Sequence, residues 1–363
     1  MAPAPRAPGA VPAAAPAAAT KPTTTPDTLT PFSRLSKGWN RIEGGEGTGC
    51  AHDSSYVFRV RPGAPEKVLI YLNGGGACWR GIDCDARGRP TTTMSADFGN
   101  DASLRLGIFD VSNPLNPVRG YSMMFVSYCT GDVHLGSRTV DYDVHSVKGV
   151  TRRFAVQHVG SANTRVVLKW LYANFRAPRV VVVAGTDAGA IASPVVAAQI
   201  ARHYPRTRVV QLGEGAGGYR APVVPALFAS WGAAEYLRHD DAFRSLDSIN
   251  FTFTRLYTEA ARVAPRVRYA QFNMVGDETQ LAFMSQLGVK TSSMSKSLSL
   301  DYAEIRQSGA WFRSYTAPGK THGILRSASL YTTTVDGAPF RTWLSGLIDG
   351  DEVQNVGERL VKR

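Results

Sequence analysis

The stretch "VVVVAGTDAGAIAS", residues 180–193, constrains the fold more than any other part of this chain. Four consecutive valines read as a strand buried on both faces, the pattern of a parallel sheet covered by helices. The run breaks at Gly185-Thr186-Asp187-Ala188-Gly189, and beyond it Ile191, Val195, Ala198 and Ile200 share one face of a helix expected over residues 188–203. A strand that turns at once into a helix displays its central side chain on a strained backbone, and only small neighbours fit beside it. The displayed residue is Asp187.

Similar alternation recurs along the chain, as short apolar runs ending in glycine-rich or polar turns, most of them followed by amphipathic stretches. It predicts an α/β fold, α/β-hydrolase-like, with a mostly parallel central sheet flanked by helices. Strands are expected at residues 57–60, 68–72, 123–128, 180–184, 208–212, 268–274 and 312–316, and a further helix at 161–174. Residues 220–265 carry helical spacing and several aromatics, which suits a helical cap or insertion. Residues 1–31 are rich in Ala, Pro and Thr, lack large apolar side chains and are expected to be a disordered tail. Residues 32–363, with the chain 44 % hydrophobic, suffice for a single large domain.

No apolar run approaches the roughly 20 residues that cross a bilayer, so no transmembrane segment is expected. The formal charge of +12 is scattered as isolated arginines rather than gathered in a basic run, which argues against nucleic-acid binding. Compositional bias accounts for it, as does attraction to an acidic polymer or a membrane surface. Four cysteines allow three pairings, of which Cys78 with Cys84 and Cys50 with Cys129 are favoured; two disulfides suit an exported, extracellular or periplasmic protein. Four reduced, buried thiols in a cytosolic enzyme are the alternative, and the tail lacks the Leu-rich core of a secretory signal. No CxxC or HxxxH spacing accompanies the cysteines, so no metal is expected, nor is a cofactor; a monomer is.

Three pieces carry chemistry. In "KVLIYLNGGGACW" a strand runs into three glycines whose backbone N–H groups can face a pocket and hold an oxyanion. The turn at Asp187 is the second. The third is order: Asp187 is followed by Asp277, just after the strand "VRYAQFNMVGD", and then by His322, in the loop beyond "WFRSYTAPGKTHG". Nucleophile, acid and histidine, each just past a strand and in that order, form the α/β-hydrolase arrangement, with His322 as general base and Asp277 fixing its tautomer.

With these pieces in place, "YLNGGGACW", "VSYCTGDVHLGS", "VAGTDAGAIAS", "FNMVGD" and "KTHG" resemble the blocks of the pectin acetylesterase and Notum-like carboxylesterases, over most of residues 37–350. The resemblance implies a secreted α/β-hydrolase that removes acyl groups from a polysaccharide or protein-linked lipid. It also implies that Gly75, Gly76 and Ala188 supply oxyanion donors, Asp277 the acid and His322 the base. The family's serine nucleophile falls on Asp187.

A carboxylate does not replace a serine simply. Attack on an ester carbonyl would give a mixed anhydride from a weak nucleophile, whereas attack on saturated carbon gives an ester, the chemistry of haloalkane dehalogenases and epoxide hydrolases. Three accounts fit: an esterase scaffold whose serine has been replaced, an aspartate-nucleophile hydrolase, or a binding protein on a dead hydrolase. Ser193, inside the helix, is expected to pack or cap locally. A negative Asp187 is expected to raise the pKa of His322 and close an ion pair with it. The expected function is a carboxylic-ester hydrolase acting on acetyl groups of a polysaccharide or related ester, and the basic charge suits an acidic polysaccharide. Non-catalytic binding of carbohydrate or acyl groups is the alternative.

Overall fold

The computed structural model describes residues 29–88, 90–101, 105–145, 151–247 and 249–361; the expected tail falls outside these but for its last three residues. The strands are β1 (Asn40–Glu43), β2 (Val57–Arg61), β3 (Ala64–Leu72), β4 (Tyr121–Val126), β5 (Arg138–His145), β6 (Thr151–His158), β7 (Val180–Thr186), β8 (Arg208–Glu214), β9 (Arg268–Met274) and β10 (Phe312–Ala317). The helices are α1 (Gly81–Cys84), α2 (Gly160–Asn174), α3 (Ala188–His203), α4 (Val224–Trp231), α5 (Ala233–Arg238), α6 (Phe253–Val263), α7 (Glu278–Gln286), α8 (Ser295–Gln307), α9 (Ser329–Thr332) and α10 (Phe340–Asp349).

Eight strands form one sheet in the order β1-β2-β4-β3-β7-β8-β9-β10. Strand β2 runs antiparallel to β1 and β4, and every pairing from β4 to β10 is parallel. This is an α/β-hydrolase-like sheet. Because side chains alternate across a strand, each central strand feeds two cores. Val68, Ile70, Val181 and Val183 join one face with Trp170 and Leu171 of α2, Val195 of α3 and Leu256 of α6. Leu69, Tyr71, Val182 and Leu212 join the other with Phe340, Leu344 and Leu347 of α10. Both faces are covered, which is why the valine run shows no polar alternation.

Two details differ from the sequence expectation. The strand expected at 123–128 lies at Tyr121–Val126, because Tyr128 N–H leaves the ladder and donates to Asn100 Oδ1 at 2.7 Å. Strands β5 and β6 form a separate hairpin outside the main sheet. Between residues 220 and 265 the chain is helical in α4, α5 and α6. No helix among the described residues is long and apolar enough to cross a membrane.

Candidate active site

Asp187 joins β7 to α3 with φ 52° and ψ −120°, left-handed backbone that a residue with a Cβ seldom adopts. The flanking glycines make the turn possible: a Cβ on Gly185 would lie 2.3 Å from the Gly189 carbonyl oxygen, and one on Gly189 would lie 2.1 Å from the Leu72 carbonyl oxygen. The Asp187 N–H donates to the Glu214 carbonyl on the neighbouring strand at 2.9 Å, fixing the turn over the C-terminal edge of the sheet. Ala188 is the first residue of α3, so the helix offers its N–H no partner.

The Asp187 carboxylate does not point at the histidine. Its Oδ2 accepts the backbone N–H groups of Gly75, at 2.8 Å, and Gly76, at 2.6 Å. Those residues follow β3 in the triple-glycine loop, whose left-handed φ angles of 149° and 75° turn both donors to one side. The loop is held from several directions: Thr93 N–H donates to the Gly75 carbonyl at 2.7 Å, His134 Nε2 meets the Asn73 carbonyl at 2.8 Å, and Trp231 Nε1 donates to the Cys78 carbonyl at 2.8 Å. A disulfide joins Cys78 to Cys84, six residues on, and a second joins Cys50 to Cys129.

Asp277 follows β9 and caps α7, its Oδ1 accepting the Gln280 N–H at 3.0 Å. Its Oδ2 meets His322 Nδ1 at 2.8 Å, and the acid is fully buried. Burial opposes protonation of His322; the Asp277 hydrogen bond and the charges of Asp187, Asp277 and Glu214 outweigh it and raise the pKa to about 9. The ring is therefore an imidazolium at neutral pH. Its Nε2 is buried and has no hydrogen-bond partner, so the expected ion pair with Asp187 is not formed. The reason is competition: two backbone donors at hydrogen-bond distance hold the carboxylate in the glycine loop.

Asp187, His322, Gly75 and Gly76 open on one cleft of about 500 Å³, which Tyr219, Phe283, Thr91, Thr93, Gln286 and Arg326 also line. Ser193 is buried in α3; its Oγ donates to the Ala190 carbonyl and accepts from Gln211, both at 2.7 Å, so it has no opening to the cleft. Cys78, Cys84 and His158 lie together, but the sulfurs are bonded to each other, and the His158 nitrogens meet the Thr130 carbonyl and the Tyr142 hydroxyl at 2.8 and 2.9 Å. They offer a metal no free ligand. Two residues with no motif of their own also border the site: Arg326, hydrogen-bonded to Asn73 Oδ1 at 2.8 Å, and the buried Glu214. A polar residue closing the apolar run "RVVQLGE" was the only signal for Glu214.

Residues 44–221 match the family model described as Pectinacetylesterase, a span that holds the glycine loop and the Asp187 turn but ends before Asp277 and His322. No curated protein gives a significant match.

Proposed function

From the match of residues 44–221 to the pectinacetylesterase family model, we propose that the chain carries the site of an acetylesterase-type carboxylic-ester hydrolase, held silent by Asp187. In this reading Gly75, Gly76 and Ala188 are the oxyanion donors, His322 is the base, Asp277 orients it, and position 187 is where the nucleophile stands. A serine there would pass its proton to His322 Nε2, add to the ester carbonyl and form an acyl-enzyme, which water would hydrolyse with the same ring as base.

One observation carries the reading: two backbone donors converge on a single oxygen, the arrangement that stabilises the oxyanion of a tetrahedral intermediate. Here that oxygen belongs to Asp187. An arriving carbonyl finds the donors occupied and a negative charge where its own would develop. The protonated His322 cannot accept a proton either, so the nucleophile and the base fail through one substitution. The same occupied donors favour the second reading, a protein that binds carbohydrate or acyl groups without turning them over.

The substrate in this reading is an acetylated polysaccharide. Threonine hydroxyls, Gln286, and the rings of Tyr219 and Phe283 suit a polyhydroxylated chain, and the basic charge suits an acidic one. Two disulfides support a location outside the cytosol. Residues 32–363 are read as one domain, acting as a monomer.

Turnover of a chromogenic acetyl ester by the chain and by Asp187→Ser tests the proposal. The serine variant is expected to be about 10³-fold or more faster, since removing a triad nucleophile costs at least that much elsewhere. A folded serine variant no faster than the present chain, across acetyl and longer acyl esters, would overturn the esterase reading and leave the binding protein and the aspartate-nucleophile hydrolase.

A further inference from the structure

Glu214 closes β8 with its carboxylate 1 % exposed, and the acid–base chemistry above makes no use of it. A buried carboxylate is costly unless its oxygens are satisfied, and these are. Oε2 accepts the N–H of Ile324 at 2.7 Å and of Leu325 at 3.0 Å, the second and third residues after His322. Oε1 accepts the hydroxyl of Thr186 at 2.6 Å, the residue before Asp187, and that hydroxyl also meets Tyr71 at 2.5 Å. The Glu214 carbonyl accepts the Asp187 N–H at 2.9 Å. One residue thus bonds to both loops that carry the reacting groups.

The glycines beside it show how closely these parts are fitted. A Cβ on Gly323 would lie 2.9 Å from the Glu214 carboxyl carbon, and one on Gly215 would lie 3.0 Å from His322 Cε1. Both have positive φ, 73° and 66°. The histidine loop is seated on this carboxylate with no room for a side chain between them.

We infer that Glu214 is a positioning residue, a clamp that fixes the His322 loop against the Asp187 turn so that Nε2 faces the nucleophile position. Its charge adds a second effect on the same ring, since it helps to keep His322 protonated. The kinetic consequence rests on the ester-hydrolase reading; the structural consequence does not.

The test therefore has two arms. In the chain as it exists, Glu214→Gln and Glu214→Ala are compared by amide hydrogen exchange at Ile324 and Leu325 and by NMR titration of His322. Glutamine keeps an acceptor for the loop but removes the charge, so slow exchange should persist while the His322 pKa falls. Alanine should speed exchange at both amides. In the Asp187→Ser background, alanine should lower kcat by about 10–100-fold, the scale of a misplaced catalytic group, with KM little changed. Glutamine should restore most of that loss and shift the acidic limb of the pH–rate profile to lower pH. Should alanine fold poorly, Glu214→Asp decides through the same exchange measurement, its carboxylate being one methylene too short to reach the Ile324 and Leu325 amides. Unchanged exchange in Glu214→Ala, or in Glu214→Asp where alanine does not fold, overturns the clamp; an unchanged His322 pKa in Glu214→Gln overturns only the charge effect. An inert Asp187→Ser enzyme overturns the ester reading instead and leaves the exchange and titration results to judge Glu214.

Discussion

At position 187 a carboxylate changes two neighbours at once: it fills the Gly75 and Gly76 donors and adds charge beside His322. Asp187→Ser should therefore lower the His322 pKa from about 9 towards its ordinary 6.5, with Asp277 and Glu214 keeping it above that value, and histidine NMR would register the change. An unchanged pKa would mean that Asp187 is electrostatically irrelevant to the ring. The raised pKa also links to stability. A histidine whose folded pKa exceeds its unfolded value stabilises fully below pH 6.5 and loses that contribution as pH rises through about 9. The full effect is on the order of 3 kcal/mol. Urea denaturation from pH 6.5 to 9.5 should show this decline for the chain, and His322→Gln should lack it. Asp277, His322 and the displayed Asp187 were legible in the sequence, because each follows a strand. It could not reveal the rotamer of Asp187, whose donors lie 111 and 112 residues away.

Elements were legible where their pattern was strong. The valine run of β7 and the Ile191–Ile200 face of α3 stand out because burial imposes a clear period. Strand β1, with a single buried residue among four, carries almost no such period. In the β5–β6 hairpin Tyr142 is the one buried residue of β5, and β6 buries Val156 together with the polar His158, so neither shows the apolar run of a core strand. The junction of β3, β7 and α3 is where packing is least forgiving. Gly189→Ala would drive a methyl against the Leu72 backbone, separating α3 from β3 at a cost of about 1–3 kcal/mol. A lower melting temperature is expected, and an unchanged one would mean that the elbow gives way to a methyl without cost. For the glycine loop, serines at both Cys78 and Cys84 should leave the sheet intact but, in the Asp187→Ser background, cost more ester turnover than stability. Equal activity with and without this bridge would show that the other contacts to the loop suffice.

Across the whole molecule, the two disulfides differ in what they constrain. Cys50–Cys129 closes a loop of 79 residues and Cys78–Cys84 one of six. Loop-closure entropy assigns about 4–5 kcal/mol to the first and about 2 kcal/mol to the second. Serine pairs at each site, compared by urea denaturation, should keep that order, and the reverse order would mean that native-state contacts rather than chain entropy set the effect. The longer bridge encloses β2, β3, the glycine loop and β4 within one covalent ring. A protease that cuts once between Cys50 and Cys129 therefore releases nothing. The nicked protein keeps its full mass on a non-reducing gel and falls into two pieces only when a thiol reductant is added.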